Sequence, residues 1–491
     1  MNIEVYKLFH ELNQIPRPSH HEERVADFLC RFAEARGLKY RRTKENCVVI
    51  EKPATPGYED AEPVVILNHM DMVCVGRPDV KYDPLKDAIR PVVKDVVGED
   101  GRVARWMHAD GTSLGADNGI GLSMALAILQ DDTLVHGPLE VLTTTNEEDG
   151  MTGAQALPAD FIRGRKVINL DSEAYDEITT GAAGALMQIA HLPYRKVPMP
   201  SDYVAYTVSV TGGQGGHSGV DIGRNRANAI KILANLLLVA IRQVNIKLYL
   251  VQFEGGQAAA AIPSQATAKV VIPKDKEDAF TLLLEQGDAA VSQQFAESDP
   301  DVVVEWERSV WHSNIISEEG THLLLATLNG TPVGPQSWRE DMPGTVMTSN
   351  NIGLVAQQRD TFDVSLHTRS FSDEAMVQLG TQLRKIFELS GARVELVMQA
   401  PAWQERSDSP LLSLTERTFA DVLGFRPRRV AMHFVLEAGY LVSTFPGLEI
   451  ASIGPRILEP HSVNERVQVS TIDDIWLVTV ELLKRLAGDA Q

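Results

Sequence analysis

Val64-Val-Ile-Leu-Asn-His-Met-Asp71 opens on four aliphatic residues and ends on an imidazole and a carboxylate. A short apolar run bounded by polar residues reads as a buried strand. His69 and Asp71 then fall at its carboxyl end, where open α/β sheets bind ligands. Three further runs repeat the pattern: Leu139–Thr143 leads to Glu147-Glu148-Asp149, Val167–Leu170 to Asp171-Ser-Glu173, and Ile450–Ile453 to Pro460-His461-Ser462. Between the first two runs the sequence predicts a hairpin turning at Gly98–Gly101, a glycine-rich loop and an apolar helix over Gly121–Gln130. Upstream, Ile3–Gly37 is helix-periodic around a Pro16–Pro18 break and leads into a strand-like Cys47–Glu51. Strands alternating with helices predict an α/β sheet.

The middle of the chain has another rhythm. Tyr206–Val210 and Thr361–Leu366 alternate like half-exposed strands, each followed by a helix-periodic segment, Ala227–Ile241 and Asp373–Leu389. That is α+β character. The shared rhythm suggests an internal duplication, but without shared residues it carries no weight. Proline-punctuated breaks at Pro193–Pro200 and around Pro401 read as domain crossings. The expectation is a discontinuous α/β catalytic domain, residues 1–200 and 401–491, carrying an inserted α+β domain over 201–400.

A formal net charge of −20, from 46 basic and 66 acidic residues among 491, opposes a nucleic-acid partner, whose phosphates require clustered Lys and Arg. The N-terminus lacks the basic start and apolar core of a signal peptide. The apolar stretch Ile230–Val244 is interrupted by Lys231, Asn235 and Arg242 and falls short of the ~20 residues of a membrane span. Cys30, Cys47 and Cys74 form no CxxC pair or even-numbered framework, which suits a reducing, cytoplasmic compartment. A soluble cytoplasmic protein without membrane or nucleic-acid partner is expected.

Carboxylates gathered at one sheet edge raise one another's pKa unless a cation compensates them. Two imidazoles among several carboxylates suit zinc, or manganese or cobalt, rather than calcium or magnesium. Two ions roughly 3.5–4 Å apart are expected where one carboxylate bridges them. Asp117, in Ser113-Leu-Gly-Ala-Asp-Asn-Gly-Ile-Gly121, is the candidate bridge; the bland alternative is an ordinary helix N-cap. Gly212-Gly-Gln-Gly-Gly-His217-Ser-Gly219 has neither the register nor the Lys-Ser/Thr ending of a phosphate loop. Its His217 is either a hydrogen-bond donor offered to a site or an exposed loop histidine. Arg369 is either a clamp for a substrate carboxylate or one half of a salt bridge.

With these residues in hand, nearly the whole chain resembles the dinuclear zinc exopeptidases, in their aminoacyl-histidine dipeptidase group. The markers are Ile15-Pro-Arg-Pro-Ser-His-His-Glu-Glu23, His69-Met-Asp71, Ser113–Gly119, His136-Gly-Pro-Leu-Glu140, Glu147-Glu148, Asp171-Ser-Glu173, Gly215–Gly219, Ser452-Ile-Gly-Pro455 and Pro460-His-Ser462. The resemblance implies that His69 and Asp171 hold one zinc, Glu148 and His461 the other, and that Asp117 bridges them. It implies further that Asp71 orients His69, Glu147 is the general base, His217 is a lid histidine donating to the oxyanion, often across a dimer interface, and Arg369 faces substrate. Where close relatives carry Arg-Asn-Ala-Ile-Pro, this chain has Ala259-Ala-Ala-Ile-Pro263, and their Leu-Glu-Cys-Gly is Leu436-Glu-Ala-Gly439 here. Glu437 is thereby a candidate partner for a substrate amino group. The implied activity is hydrolysis of dipeptides with a free amino end, Xaa-His and broader, by a two-metal enzyme that dimerises through its lid. Its rivals are a carboxypeptidase, tripeptidase or amide deacylase on the same metals, and a non-catalytic peptide-binding relative; an intact Asp71 and Glu147 argue against the last.

Overall fold

The computed structural model describes residues 2–97, 101, 103–406 and 408–488. The chain divides into two compact units, Met1–Gly181 with Glu405–Ala431 and Glu437–Gln491, and Ala182–Gln404 with Met432–Leu436. Among the described residues no helix is long and apolar enough to cross a membrane.

In the first unit the four apolar runs are Val64–His69, Leu139–Thr144, Lys166–Asn169 and Glu449–Ser452, and they lie side by side in an eight-stranded sheet. They pair in parallel, with Leu67 opposite Leu142 and Asn169, and Asn169 opposite Ser452. Val64–His69 and Leu139–Thr144 are buried along their full length, which is why they read as continuous apolar runs rather than alternations. Val48–Lys52 and Lys39–Arg42 extend one edge antiparallel, and Glu177–Ala182 and Arg428–Met432 form the other. Helices Ile3–Leu12, Glu23–Glu34, Ala116–Gln130, Pro410–Leu423 and Val469–Gly488 share one apolar cluster with the strands.

One predicted element shifts. The helix expected from Gly121 begins at Ala116, but Asp117 and Asn118 have non-helical dihedrals across a kink, and their peptide bond is cis. The regular part therefore starts close to where apolar periodicity does. The hairpin is present as Pro91–Val97 against Val103–Ala109; of its expected turn, residues 98–100 lie outside the described residues.

The second unit is a nine-stranded sheet with antiparallel pairings. It contains two β-α-β-β-α-β halves. One runs through strands Tyr203–Thr211, Tyr249–Gly255, Ala266–Pro273 and Val303–Ser309 with helices Ala229–Arg242 and Glu277–Gln294. The other starts at Gly184–Pro193 and resumes after the first half with helix Glu318–Gly330, strands Val346–Gln357 and Thr361–Ser370, helix Asp373–Leu389 and strand Arg393–Ala400. In each half the sheet order is fourth, first, third, second, and the two second strands meet at Gly255 and Val355. The rhythm in the sequence thus marks a repeated arrangement, in a different alignment from the one it suggested. Tyr203–Thr211 is the first strand of its half, whereas Thr361–Ser370 is the third of its own. The break expected at Pro193–Pro200 lies inside this unit, because Gly184–Pro193 is a central strand paired with Thr361–Ser370 and Arg393–Ala400. The main segment of this unit is closed by a reciprocal backbone pair, Ala182 with Trp403, N···O 2.9 Å in both directions.

Candidate metal centre

Parallel pairing in register brings the carboxyl ends of the central strands to one sheet edge. His69 is the last residue of its strand, Glu147 and Glu148 follow the neighbouring strand, and Asp171 follows the next by two residues. Asp117 stands between the two histidines: its Oδ1 lies 3.1 Å from His69 Nε2 and its Oδ2 3.1 Å from His461 Nε2. Each imidazole nitrogen meets a second carboxylate, Asp171 Oδ1 at 3.2 Å from His69 and Glu148 Oε2 at 2.9 Å from His461.

On its other side the His69 ring turns Nδ1 to Asp71, 3.1 Å from the backbone oxygen and 3.5 Å from Oδ1. The Asp71 carboxylate also accepts from Ser19 Oγ (2.7 Å) and from the backbone N–H groups of Glu147 (3.1 Å) and Glu148 (3.2 Å). One buried carboxylate thus fixes both an imidazole and the loop bearing two acids. Glu437 is buried, with Oε2 accepting from Thr144 Oγ1 at 2.7 Å and Oε1 without a partner among the described residues.

The electrostatics of this cluster call for positive charge. Burial drives the Glu147 carboxyl well above the usual range, helped by Asp171, Glu437 and Glu148 against the His69 charge. Asp171 is pushed up to about 6 and Glu437 to about 8, in both cases chiefly by burial. Burial opposes ionisation of Asp117 as well, but hydrogen bonds from His461 and His69 hold it below the carboxylate range. His461 rises to about 11 through its hydrogen bonds to Asp117 and Glu148. Protons therefore do part of the work that a bound cation would do. The donor set fits such a cation. Ligand atoms of His69, Asp117 and Glu148 lie within 4.8 Å of one another, as do those of Asp117, Glu173 and His461, and Glu148 Oε1 is buried without a partner among the described residues.

Sequence reasoning missed the residues that hold this geometry. Glu465, 2% exposed, accepts from four successive backbone N–H groups: Leu114 (2.7 Å), Gly115 (2.9 Å), Ala116 (2.7 Å) and Asp117 (3.4 Å). The same passage of chain thus supplies His461 and clamps the loop presenting Asp117. Buried Arg17 donates to the Met70, Asp71 and Gly115 carbonyls, and Glu22 accepts from Asn146 N–H at 2.9 Å. Gly115 has φ 66°, and a Cβ there would stand 2.5 Å from Arg17 Nη2, so a side chain there would be strained and would displace Arg17. Glu173 also joins the cluster, its carboxyl pushed up to about 8 by burial and then by Asp117. Arg17, Glu22 and Glu173 lie within stretches that carry the family resemblance; Glu465, four residues beyond His461, gave no local signal.

The other two expected residues come together in the second unit. His217 Nδ1 lies within hydrogen-bond reach of the backbone N–H groups of Gly219 (3.3 Å) and Val220 (3.2 Å). Arg369 Nη2 lies 3.3 Å from His217 Nε2, and the guanidinium also reaches Ser218 Oγ at 3.4 Å. Burial, then the Arg369 charge, keeps His217 below its ordinary pKa.

Known proteins share this architecture. The model of peptidase family M20/M25/M40 matches residues 65–487. The chain is 32% identical over 482 residues to the cytosol non-specific dipeptidase of Escherichia coli (strain K12), covering 98% of this chain and 97% of that protein. Against the crystal structure of aminoacylhistidine dipeptidase from Vibrio alginolyticus the TM-score is 0.91 at 32% identity, over 99% of this chain and 96% of that one. A tripeptidase from Staphylococcus aureus has the same fold at 16% identity and a TM-score of 0.56, over 99% of this chain and 98% of that one. The chain belongs to peptidase family M20/M25/M40, and by that membership is a hydrolase.

Proposed function

We propose that the chain is a two-metal dipeptidase that cleaves dipeptides with a free amino end, Xaa-His among them. The observation that carries this reading is Asp117, whose two carboxylate oxygens each face a different imidazole, with Asp171 and Glu148 on the outer sides. In this assignment His69 and Asp171 would hold one divalent ion, His461 and Glu148 the second, and Asp117 would serve both. Zinc suits the donor set best, with manganese and cobalt as alternatives. Bound there, the ions would supply the Lewis acidity that lowers the pKa of a water and polarises the scissile carbonyl.

The remaining work falls to side chains. Glu147 carries no imidazole partner, so it is free to take a proton from the attacking water and return it to the leaving amine. Asp71 holds the His69 ring and tautomer and raises its basicity. The imidazole of His217 donates to the developing oxyanion, Arg369 receives the carboxylate of the substrate, and the unpartnered oxygen of Glu437 accepts from its free amino group. The full-length similarity to two dipeptidases supports this substrate class. The inserted unit acts as lid and dimerisation domain, and the enzyme works in the cytoplasm as a homodimer. The test is metal analysis paired with a panel of di-, tri- and N-acetylated peptides: about two ions per chain and fastest turnover of unblocked dipeptides are expected. Faster release of acyl groups from N-acetyl amino acids would overturn the assignment.

A further inference from the structure

Beside helix Ala229–Arg242 the second unit holds a cavity of about 370 Å³, and every residue lining it belongs to that unit. The volume lies within the roughly 300–1,000 Å³ of small-molecule sites. It opens between the start of this helix and the ends of helices Glu277–Gln294 and Glu318–Gly330. Two of the lining residues are cationic, Arg226 and Lys231, and none is acidic. In a chain of net charge −20 that is a local reversal of sign.

Lys231 contributes charge only. Its Nζ is spent on the carbonyls of Leu328, Asn329 and Thr331, and burial lowers its pKa to about 8, so it is protonated at neutral pH. Arg226 is partly buried and has capacity to spare. Both hydrogen bonds of its guanidinium are made by Nη1, to Gln214 Oε1 and to the Ser298 carbonyl, the latter at 2.6 Å. Its Nε is buried without a partner among the described residues. The carboxylate of Asp299, next in sequence to Ser298, is occupied instead by the backbone N–H groups of Gln214 (2.7 Å) and Ala227 (2.9 Å). Anchoring Nη1 leaves the Nε–Nη2 edge, whose two parallel N–H groups match a carboxylate. Buried Ile232, Ile262 and Phe295 give the same cavity an apolar wall.

We propose that this cavity binds a small monocarboxylate with an apolar tail and no positive charge. The carboxylate accepts from Arg226 Nε–H and Nη2–H, and the tail lies against Ile232, Ile262 and Phe295. A free amino acid fits less well, because its ammonium enters a cavity with two cations and no acid to receive it. Phosphate matches the guanidinium but leaves the apolar wall uncovered. None of the metal-centre residues takes part, so the proposal does not rest on the hydrolytic reading.

Metal-loaded enzyme is titrated calorimetrically with 4-methylpentanoate, with L-leucine, which has the same skeleton plus an ammonium, and with inorganic phosphate. The first should bind with Kd below about 1 mM, and the other two at least about tenfold more weakly. Variants of the cavity separate this binding from any carboxylate held at the metal centre. Arg226→Leu should weaken it by about tenfold to a hundredfold through the loss of charge-assisted hydrogen bonds. Because Arg226 also ties Gln214 and Ser298, Asn235→Trp serves as a second variant. Asn235 lines the cavity from an exposed helix position, so an indole there fills the space without entering the core and should abolish the binding. Unchanged affinity in a folded Asn235→Trp protein overturns the proposal. So does wild type that binds no 4-methylpentanoate up to about 10 mM, or that binds leucine or phosphate as tightly.

Discussion

Glu147 and Glu148 are adjacent in sequence and differ in what surrounds them. Glu148 meets the His461 imidazole at 2.9 Å, whereas the Glu147 backbone N–H donates to Asp71 and its carboxylate has no imidazole partner among the described residues. Glu147→Gln should therefore keep its metal content by elemental analysis and lose kcat by about 10²–10⁴-fold; turnover within twofold of wild type would remove Glu147 from the chemistry. The complementary change, Glu148→Gln, should lower metal content per chain, because it weakens a ligand rather than a base. Strand-end chemistry was legible in the sequence because His69, the Glu147-Glu148 pair and Asp171 each end or follow an apolar run within a few residues, whereas Asp117 sits in a glycine-rich loop. Which acid is ligand and which is base depends on contacts across the sheet, so spacing alone left that open until the family resemblance divided the roles.

At the scale of elements, the loop carrying Asp117 is held by a side chain about 350 residues away: Glu465 gathers four backbone N–H groups that a helix start leaves unpaired. Nothing in the local sequence of either segment announces that contact. A neutral amide accepts through one oxygen, so Glu465→Gln should loosen the loop and lower metal affinity by about 10- to 100-fold, measured by competition with a chromophoric chelator. Wild-type affinity in the variant would reduce Glu465 to a bystander. Lys231 plays a comparable part in the second unit, where Nζ donates to the carbonyls of Leu328 (2.9 Å), Asn329 (2.6 Å) and Thr331 (2.7 Å) at the end of helix Glu318–Gly330. The sequence showed Lys231 only as an interruption in an apolar stretch. Lys231→Met should destabilise the protein by about 1–3 kcal/mol in urea unfolding, and a smaller loss would mean that water serves those carbonyls equally well.

Over the whole molecule, each unit has its own apolar core. The α/β character of one and the α+β character of the other followed from continuous versus alternating apolar patterns. The division itself follows strand pairing rather than proline content, which is why Gly184–Pro193 belongs to the insertion although a proline-rich break follows it. Because the Ala182–Trp403 backbone pair closes the main segment of the second unit, residues 182–404 expressed without Met432–Leu436 should show a cooperative thermal transition; a broad, non-cooperative melt would show that its core depends on the rest of the chain. The central claim is that Asp117 joins two metal ions. Crystals grown with zinc and measured at the zinc absorption edge test it most directly. Two anomalous peaks about 3.5–4 Å apart, one on the His69–Asp171 side of Asp117 and one on the His461–Glu148 side, are predicted. A single peak, or peaks that do not touch Asp117, would contradict it.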